Sequence, residues 1–170
     1  GWKKKEEKPE IIQIGAVEIC LKAGQWKMQR EFNQFVRPLL RPDLSEYVIR
    51  LTGIPQETID NFGVSFPVAL NALVEFSAKD SQICANGNDW TFLERNCEIN
   101  DVKNPFKMNQ FLNVRPYLAK QFGLEEDSPK LHSHRLPQLI ESLEGKAHDA
   151  LVDARSIAKA LIHTQALIYM

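Results

Sequence analysis

Asp153 is a carboxylate that the sequence places among small and apolar side chains. It lies three residues after Ala150 and four before Ile157, within a segment, "KAHDALVDARSIAKAL", whose apolar residues recur at helical spacing. A carboxylate in apolar surroundings is unfavourable unless it is paired or binds a cation. Asp149, one turn earlier, would add like-charge repulsion, so we expect the two carboxylates to destabilise the helix that carries them. The alternative is that Asp149 caps the helix while Asp153 reaches a partner on another element.

His148 directly precedes this segment and is a candidate general base. Within one regular helix, positions 148 and 153 would point roughly 140° apart, so a joint role requires His148 to lie in the preceding loop. The residues "EGKAH" supply that loop, and an accessible imidazole titrates near neutral pH, which suits a base that deprotonates water. An H-x-x-x-x-D spacing also arises easily by chance in a chain with four histidines.

Asp89 is the second candidate acid, and it stands where a predicted strand gives way to a helix. The short apolar segment "SQICAN" (81–86) predicts a strand, and "DWTFLERNC" predicts the beginning of a helix. Ligand sites of α/β folds lie at the carboxyl ends of strands. An N-cap of a helix that begins at Trp90 explains Asp89 equally well.

The elements that must position these residues predict an α/β fold. Alternating and apolar runs over residues 10–21 and 26–36 indicate a long antiparallel hairpin. Helices are predicted over 66–79 and in the closing segment, where Leu151, Ala154, Ala158 and Leu161 would face a core. A second short strand is predicted over 109–114, followed by a helix that ends at Gly123. A hairpin followed by alternating helices and strands predicts an α/β sandwich around a mixed sheet.

The overall composition bounds the function classes. We expect the 170 residues to form one domain, and the net charge of −1 excludes a global basic field without excluding a local nucleic-acid site. Cys20, Cys84 and Cys97 show no C-x-x-C spacing, so we expect a reducing, cytoplasmic setting. The sequence has no run of transmembrane length and no signal-peptide pattern, and we expect no membrane association. It has no Gly-rich phosphate loop and no nucleophile elbow, which argues against a small-molecule α/β enzyme.

Several segments resemble one nuclease family in order and spacing. The segments "PEIIQIGAVEI", "LTGIPQETID", Asp89 followed by "FLERNC", "FLNV" and "HDALVDARSIAKAL" together resemble the DEDDh 3′–5′ exonucleases of the DnaQ-like, RNase H-like superfamily. The likeness is strongest to the branch of histone-mRNA and RNAi exonucleases and KinA-pathway-inhibitor-type proteins. It covers nearly the whole chain. The fold it implies is an RNase H-like mixed five-stranded sheet flanked by helices.

The resemblance implies a two-metal hydrolase that acts on the 3′ end of RNA or another single-stranded nucleic acid. Two divalent cations about 4 Å apart, Mg²⁺ or Mn²⁺, would activate water and stabilise the leaving oxygen. By position, Asp153 and Asp89 would be metal ligands and His148 the general base. Leu51, Thr52 and Gly53 match a family segment that contacts the terminal nucleotide. The pattern does not discriminate RNA from DNA, and it gives no oligomeric state.

One departure from the family pattern bears on activity. The family's first motif is a strand carrying D-x-E, and no D-x-E occurs in these 170 residues. Glu6 and Glu7 lie in a mixed charge run and are no substitute. The expectation we favour is a single exonuclease domain over 1–170 that is incomplete at its N-terminus, with impaired catalysis and weak metal binding as it stands. The alternative is an inactive exonuclease-fold module that binds RNA or a protein partner.

Overall fold

A long antiparallel hairpin opens the computed structural model, which describes residues 9–78, 81–140 and 149–164. Strands β1 (Gln13–Lys22) and β2 (Gln25–Phe35) pair from Gln13 opposite Phe35 to Lys22 opposite Gln25, with a bulge after Glu18. Ala23 and Gly24 form the turn with positive φ values of 50° and 76°, the conformation that a tight hairpin needs. The predicted hairpin is confirmed, although the strand begins at residue 13, later than predicted.

Three helices follow the hairpin and cover one side of it. They are α1 (Glu46–Thr52), α2 (Gln56–Phe62) and α3 (Phe66–Phe76). The helix α1 begins at Ser45, whose side chain accepts a hydrogen bond from the Val48 N–H, and ends at Gly53 in the left-handed conformation. Helix α3 contributes to a first core cluster of buried residues, namely Val36, Phe66, Ala69, Leu70, Leu93 and Cys97.

Two short parallel strands and their helices form the next unit. Strand β3 (Ile83–Ala85) leads into α4 (Asp89–Ile99), and β4 (Phe111–Asn113) leads into α5 (Arg115–Phe122). The strands pair in parallel, with Ile83 opposite Phe111 and Ala85 opposite Asn113. Both strands and both helices were predicted in these places, including the end of α5 at Gly123, which adopts the left-handed conformation.

The chain closes with α6 (Leu136–Leu139) and α7 (Ala150–His163), and α7 packs across β1 and β2. A second core cluster joins α5 to α7 through Val114, Leu118, Ala119, Leu131, Leu136, Ala160 and Leu161. The predicted apolar stripe of α7 is partly wrong. Ala158 and Leu161 are buried, but Leu151 and Ala154 are only half-buried, while Ser156 and Ala160 are also buried. The buried residues of α7 therefore extend beyond the single predicted stripe.

The mixed α/β class is confirmed, with one difference in the sheet. Among the described residues the four strands form two separate pairs, β1 with β2 and β3 with β4, so no hydrogen-bonded ladder joins β1 to β3. None of the helices in the described ranges is both long and apolar enough to cross a bilayer.

Candidate functional site

The N-terminus of α7 is capped by the side chain of Asp149. Its Oδ1 accepts hydrogen bonds from the N–H groups of Leu151 and Val152, each at 3.0 Å. An acid at this position also interacts favourably with the helix dipole. The expected destabilisation by like charges is therefore wrong, because Asp149 stabilises the helix that carries Asp153. The capping alternative is confirmed for Asp149.

Strand β1 contacts this helix terminus through Gln13 and Gly15, which together we call the seat of α7. The Gln13 side chain accepts a hydrogen bond from the Ala150 N–H at 2.9 Å and donates to Asn33 Oδ1 at 2.9 Å. Gly15, on the same face of the strand, lies so close to α7 that a Cβ atom there would overlap the backbone of Ala150 and Leu151. The sequence therefore brings the first turn of α7 into direct contact with the beginning of β1.

Asp153 lies in that first turn and is half-buried. Its Oδ1 atom is shielded from solvent, and the residue is engaged with neighbouring groups. Arg155, two residues later, forms a two-pronged ion pair with Glu31 on β2, at 2.8 and 2.6 Å. This pair lowers the pKa of the Glu31 carboxyl and fixes α7 against the hairpin.

Asp89 is the first residue of α4, directly after the turn that follows β3. The alternative prediction, that Asp89 is the N-cap of a helix beginning at Trp90, is wrong: the helix begins one residue earlier, so Asn88 is the N-cap and Asp89 occupies the first helical position. The residue retains exposed surface, while partial desolvation raises the pKa of its carboxyl and a backbone N–H hydrogen bond opposes that rise. Asp89 is thus a solvent-reachable carboxylate at the carboxyl end of a strand.

Asn96 is a positioning residue that the sequence reasoning missed. Its side chain, which is only 2% exposed, accepts a hydrogen bond from the Ile11 N–H at 2.9 Å and donates to the Phe92 carbonyl at 2.9 Å and the Pro9 carbonyl at 3.4 Å. The amide thereby joins α4 to the segment just before β1. The two acid-bearing helices, α4 and α7, are both hydrogen-bonded to residues 9–13.

The turn after β3 is fixed by a second asparagine. The Asn86 amide donates to the Leu131 carbonyl at 2.7 Å and to Ser133 Oγ at 3.0 Å. Arg115 holds the same loop by donating to the carbonyl oxygens of Glu126, Ser128 and Leu131. His132 and His134, an H-x-H pair in this loop, stack with ring centroids 5.8 Å apart. The position of Asp89 therefore depends on a loop that side chains hold in place.

Leu51, Thr52 and Gly53 form the end of α1. The Thr52 hydroxyl donates to the Val48 carbonyl at 2.8 Å and accepts from the Ile54 N–H at 3.2 Å. Gly53 adopts a positive φ of 68° and donates to the Ile49 carbonyl at 2.7 Å. Since the Thr52 hydroxyl proton is used inside the helix end, this side chain can offer a ligand only its methyl group or an acceptor lone pair.

His148 lies outside the described residues, as do Glu6 and Glu7. Residue 148 directly precedes the Asp149 cap in the sequence. Its assignment as a base therefore stays a prediction.

The carboxylates of Asp89 and Asp153 are suitable donors for a divalent cation, because Mg²⁺ and Mn²⁺ prefer oxygen ligands. The number of donors among the described residues is insufficient. Across residues 9–78, 81–140 and 149–164, no group of three or more His, Cys, Asp or Glu side chains could hold a metal ion. The described residues therefore fit a metal site in ligand type and not in ligand number.

Comparisons with known proteins identify one family. The family model described as Exonuclease (RNase_T) matches residues 2–161. The chain is 29% identical over 169 residues to 3′-5′ exonuclease Snipper of Drosophila melanogaster, covering 87% of this chain and 58% of that protein. It is 26% identical over 162 residues to 3′-5′ exoribonuclease 1 of Rattus norvegicus, covering 90% of this chain and 46% of that protein. The chain thus spans about half the length of these curated relatives.

Solved structures share the fold. The nuclease domain of 3′hExo, a DEDDh family member, bound to rAMP, superposes with a TM-score of 0.70 at 18% identity and covers 92% of both chains. Cell-death related nuclease 4 (CRN-4) superposes with a TM-score of 0.68 at 18% identity, covering 92% of this chain and 64% of that one. At this level of identity the superpositions establish the fold alone.

Proposed function

Because this chain belongs to the exonuclease family RNase_T, we propose that it hydrolyses phosphodiester bonds from the 3′ end of RNA or of short single-stranded nucleic acid. The observation that carries the proposal is the family match over residues 2–161, which includes every candidate site residue. Helices α4 and α7 are both hydrogen-bonded to residues 9–13, α4 through Asn96 and α7 through Ala150.

RNA is the favoured substrate in this proposal. One relative is named an exoribonuclease, and one similar structure is titled for the 3′-end specific recognition of histone mRNA stem-loop by 3′-exonuclease. These names describe those proteins, and they support RNA here by family likeness.

Asp153 and Asp89 are assigned as carboxylate ligands of divalent cations, Mg²⁺ or Mn²⁺, with two ions in the intact family site. DEDDh exonucleases generally depend on divalent metals, and the bound ions would activate water and neutralise charge on the scissile phosphate. The seat on Gln13 and Gly15 supports the assignment of Asp153, because it holds the first turn of α7 in a fixed place. The turn held by Asn86 does the same for Asp89.

His148 is assigned as the general base, and Leu51, Thr52 and Gly53 as contacts to the terminal nucleotide. An imidazole just before the α7 cap would lie within a few residues of Asp153 along the chain. The internal hydrogen bonds of Thr52 favour a contact through backbone and apolar atoms at this helix end.

The missing D-x-E motif leads us to expect slow catalysis from these 170 residues. The insufficient number of metal donors among the described residues supports that expectation. The same observation supports a second candidate, an exonuclease-fold module that binds RNA or a protein partner without cleaving it. We also propose a reducing, cytoplasmic location, for which the free thiols of Cys20, Cys84 and Cys97 are the support.

A polarity assay separates these functions. Single-stranded RNA labelled at its 5′ end is incubated with the 170-residue chain in Mn²⁺, Mg²⁺ or EDTA, beside Snipper as the intact relative. We expect slow, metal-dependent shortening from the 3′ end, at least about 100-fold below the relative, and none for Asp153→Asn. Asp127→Asn, at an exposed loop position, is the matched control. Turnover equal to that of the relative contradicts the expected impairment, and RNA binding with no cleavage supports the second candidate.

Replacing His148 with Ala tests the base assignment. We expect turnover to fall by about 100-fold, because proton abstraction contributes factors of this size, while Mn²⁺ affinity stays within about threefold. Equal turnover in the variant and the parent chain would remove His148 from the mechanism.

A further inference from the structure

Gln13 links three elements that meet beside the candidate site. Its side-chain oxygen accepts a hydrogen bond from the Ala150 N–H at 2.9 Å, and its nitrogen donates to Asn33 Oδ1 at 2.9 Å. The same nitrogen lies 3.5 Å from Asp149 Oδ2. One amide at the beginning of β1 therefore contacts β2, the cap of α7 and the first backbone N–H of α7.

The contact to Ala150 satisfies a group that helices leave without an internal partner. The first N–H groups of an α-helix have no carbonyl one turn earlier to bind. Asp149 Oδ1 accepts from Leu151 and Val152, and Gln13 accepts from Ala150, so the first three N–H groups of α7 are all satisfied. Asp153 follows directly as the first residue whose N–H binds within the helix, to the Asp149 carbonyl at 2.9 Å.

Neighbouring contacts restrict where this terminus can move. Gly15, two residues along β1, leaves no space between the strand and the backbone of Ala150. On the same face of the hairpin, Glu31 holds Arg155 one turn further into α7. Gln13 thus contacts the beginning of α7, at Asp149 and Ala150.

We propose that Gln13 is a positioning residue for the nuclease site: it fixes the first turn of α7, so that Asp153 is presented to the substrate in one arrangement. This inference rests on the proposed function. Gln13 acts through Ala150 and Asp149, both of which it contacts.

The test compares Gln13→Met and Gln13→Glu with Gln25→Met in the 170-residue chain. Methionine keeps the length of glutamine and removes its hydrogen bonds, whereas glutamate keeps an oxygen acceptor for Ala150. Gln25 is the matched control, because it lies at the other end of the hairpin, about 30 Å along β1 from Gln13. Amide hydrogen exchange is measured by NMR, and the cleavage of 3′ ends is measured in Mn²⁺.

We expect the Ala150 amide to exchange at least about 10-fold faster in Gln13→Met, with a smaller increase in Gln13→Glu and none in Gln25→Met. We also expect kcat on RNA to fall about 10-fold in Gln13→Met with KM within about threefold, since the site is misaligned while the substrate still binds. Gln25→Met should leave both constants unchanged.

Several results would overturn the inference. These are unchanged Ala150 exchange in Gln13→Met, equal acceleration in the Met and Glu variants, acceleration spread uniformly over the chain, or unchanged kcat despite local acceleration. If the parent chain has no turnover while Ala150 exchange rises locally, the proposed function fails and the anchoring by Gln13 is supported.

Discussion

The two helices that carry the candidate acids begin in different ways. At α7, the Asp149 carboxylate caps two N–H groups, Gln13 binds a third, and Gly15 brings the strand backbone against the helix. At α4, the Asn88 side chain makes no capping hydrogen bond to the helix backbone, and Asp89 keeps exposed surface. The α7 terminus is thus fixed by its own contacts, whereas the α4 terminus is held from a distance by Asn86 and Asn96.

The two helix termini therefore hold their carboxylates, Asp153 and Asp89, in different surroundings. Asp153 lies in a turn whose neighbours stabilise the helix, so its placement is part of the folded core. Asp89 lies where partial desolvation disfavours its charge, so the fold gains little from keeping an acid there.

Gly15→Ala should produce the largest loss of stability. A Cβ at this position would overlap the backbone of Ala150 and Leu151, so α7 must move away from β1. We expect a loss of about 3 kcal/mol in the free energy of unfolding, measured by urea denaturation. The control is Gly24→Ala in the hairpin turn, where nothing lies within 4 Å and only the positive φ of 76° is strained, at about 1 kcal/mol. Equal losses would show that the seat is not tightly packed.

The two helix caps can be compared directly. Asp149→Ala removes two capping hydrogen bonds and should lower the free energy of unfolding by about 1–2 kcal/mol. Asn88→Ala removes only a hydrogen bond from the Thr91 hydroxyl and should cost less than about 0.5 kcal/mol. Thermal unfolding of both variants in EDTA measures the difference. A larger loss in Asn88→Ala would reverse the comparison between α7 and α4.

Asp89→Asn should have the smallest effect on stability, and its sign should depend on pH. Desolvation raises the pKa of Asp89 in the folded state above its ordinary value of 3.8. Protonated Asp89 therefore stabilises the folded parent chain below pH 3.8, and this contribution is lost as the pH rises through the folded-state pKa. The Asn variant does not titrate, so its advantage should grow with pH. In EDTA, we expect a gain of at most about 0.5 kcal/mol at pH 7 and none at pH 3.5, since exposed surface screens the charge. A loss of stability at pH 7 would show that the carboxylate is stabilising in the fold.

Local sequence patterns predicted much of the fold. Alternation over residues 10–36 predicted the hairpin, and Gly123 marked the end of α5. The patterns also placed Asp89 at the carboxyl end of β3 and Asp153 on the closing helix. An acid directly before a helical segment is a known capping signal, so the role of Asp149 was available from the sequence as one of two alternatives.

The contacts that hold the site could not be predicted in the same way. Gln13 and Ala150 are separated by 137 residues, and Asn96 and Ile11 by 85. No periodicity within a segment specifies which distant N–H an amide side chain will bind. The glycine at position 15 is likewise ambiguous in a strand, because only the docked helix shows why a Cβ is excluded there.

We propose that Asp89 and Asp153, from different helices, belong to one metal-binding site. Mn²⁺ is paramagnetic and broadens the NMR signals of nearby amides, so titrating the ¹⁵N-labelled 170-residue chain with it tests the claim directly. We expect the amides of residues 89 and 153 to broaden together at the lowest Mn²⁺ concentrations, and either Asp→Asn substitution to weaken both effects. Broadening at only one of them, or first at unrelated surface acids, would contradict the claim.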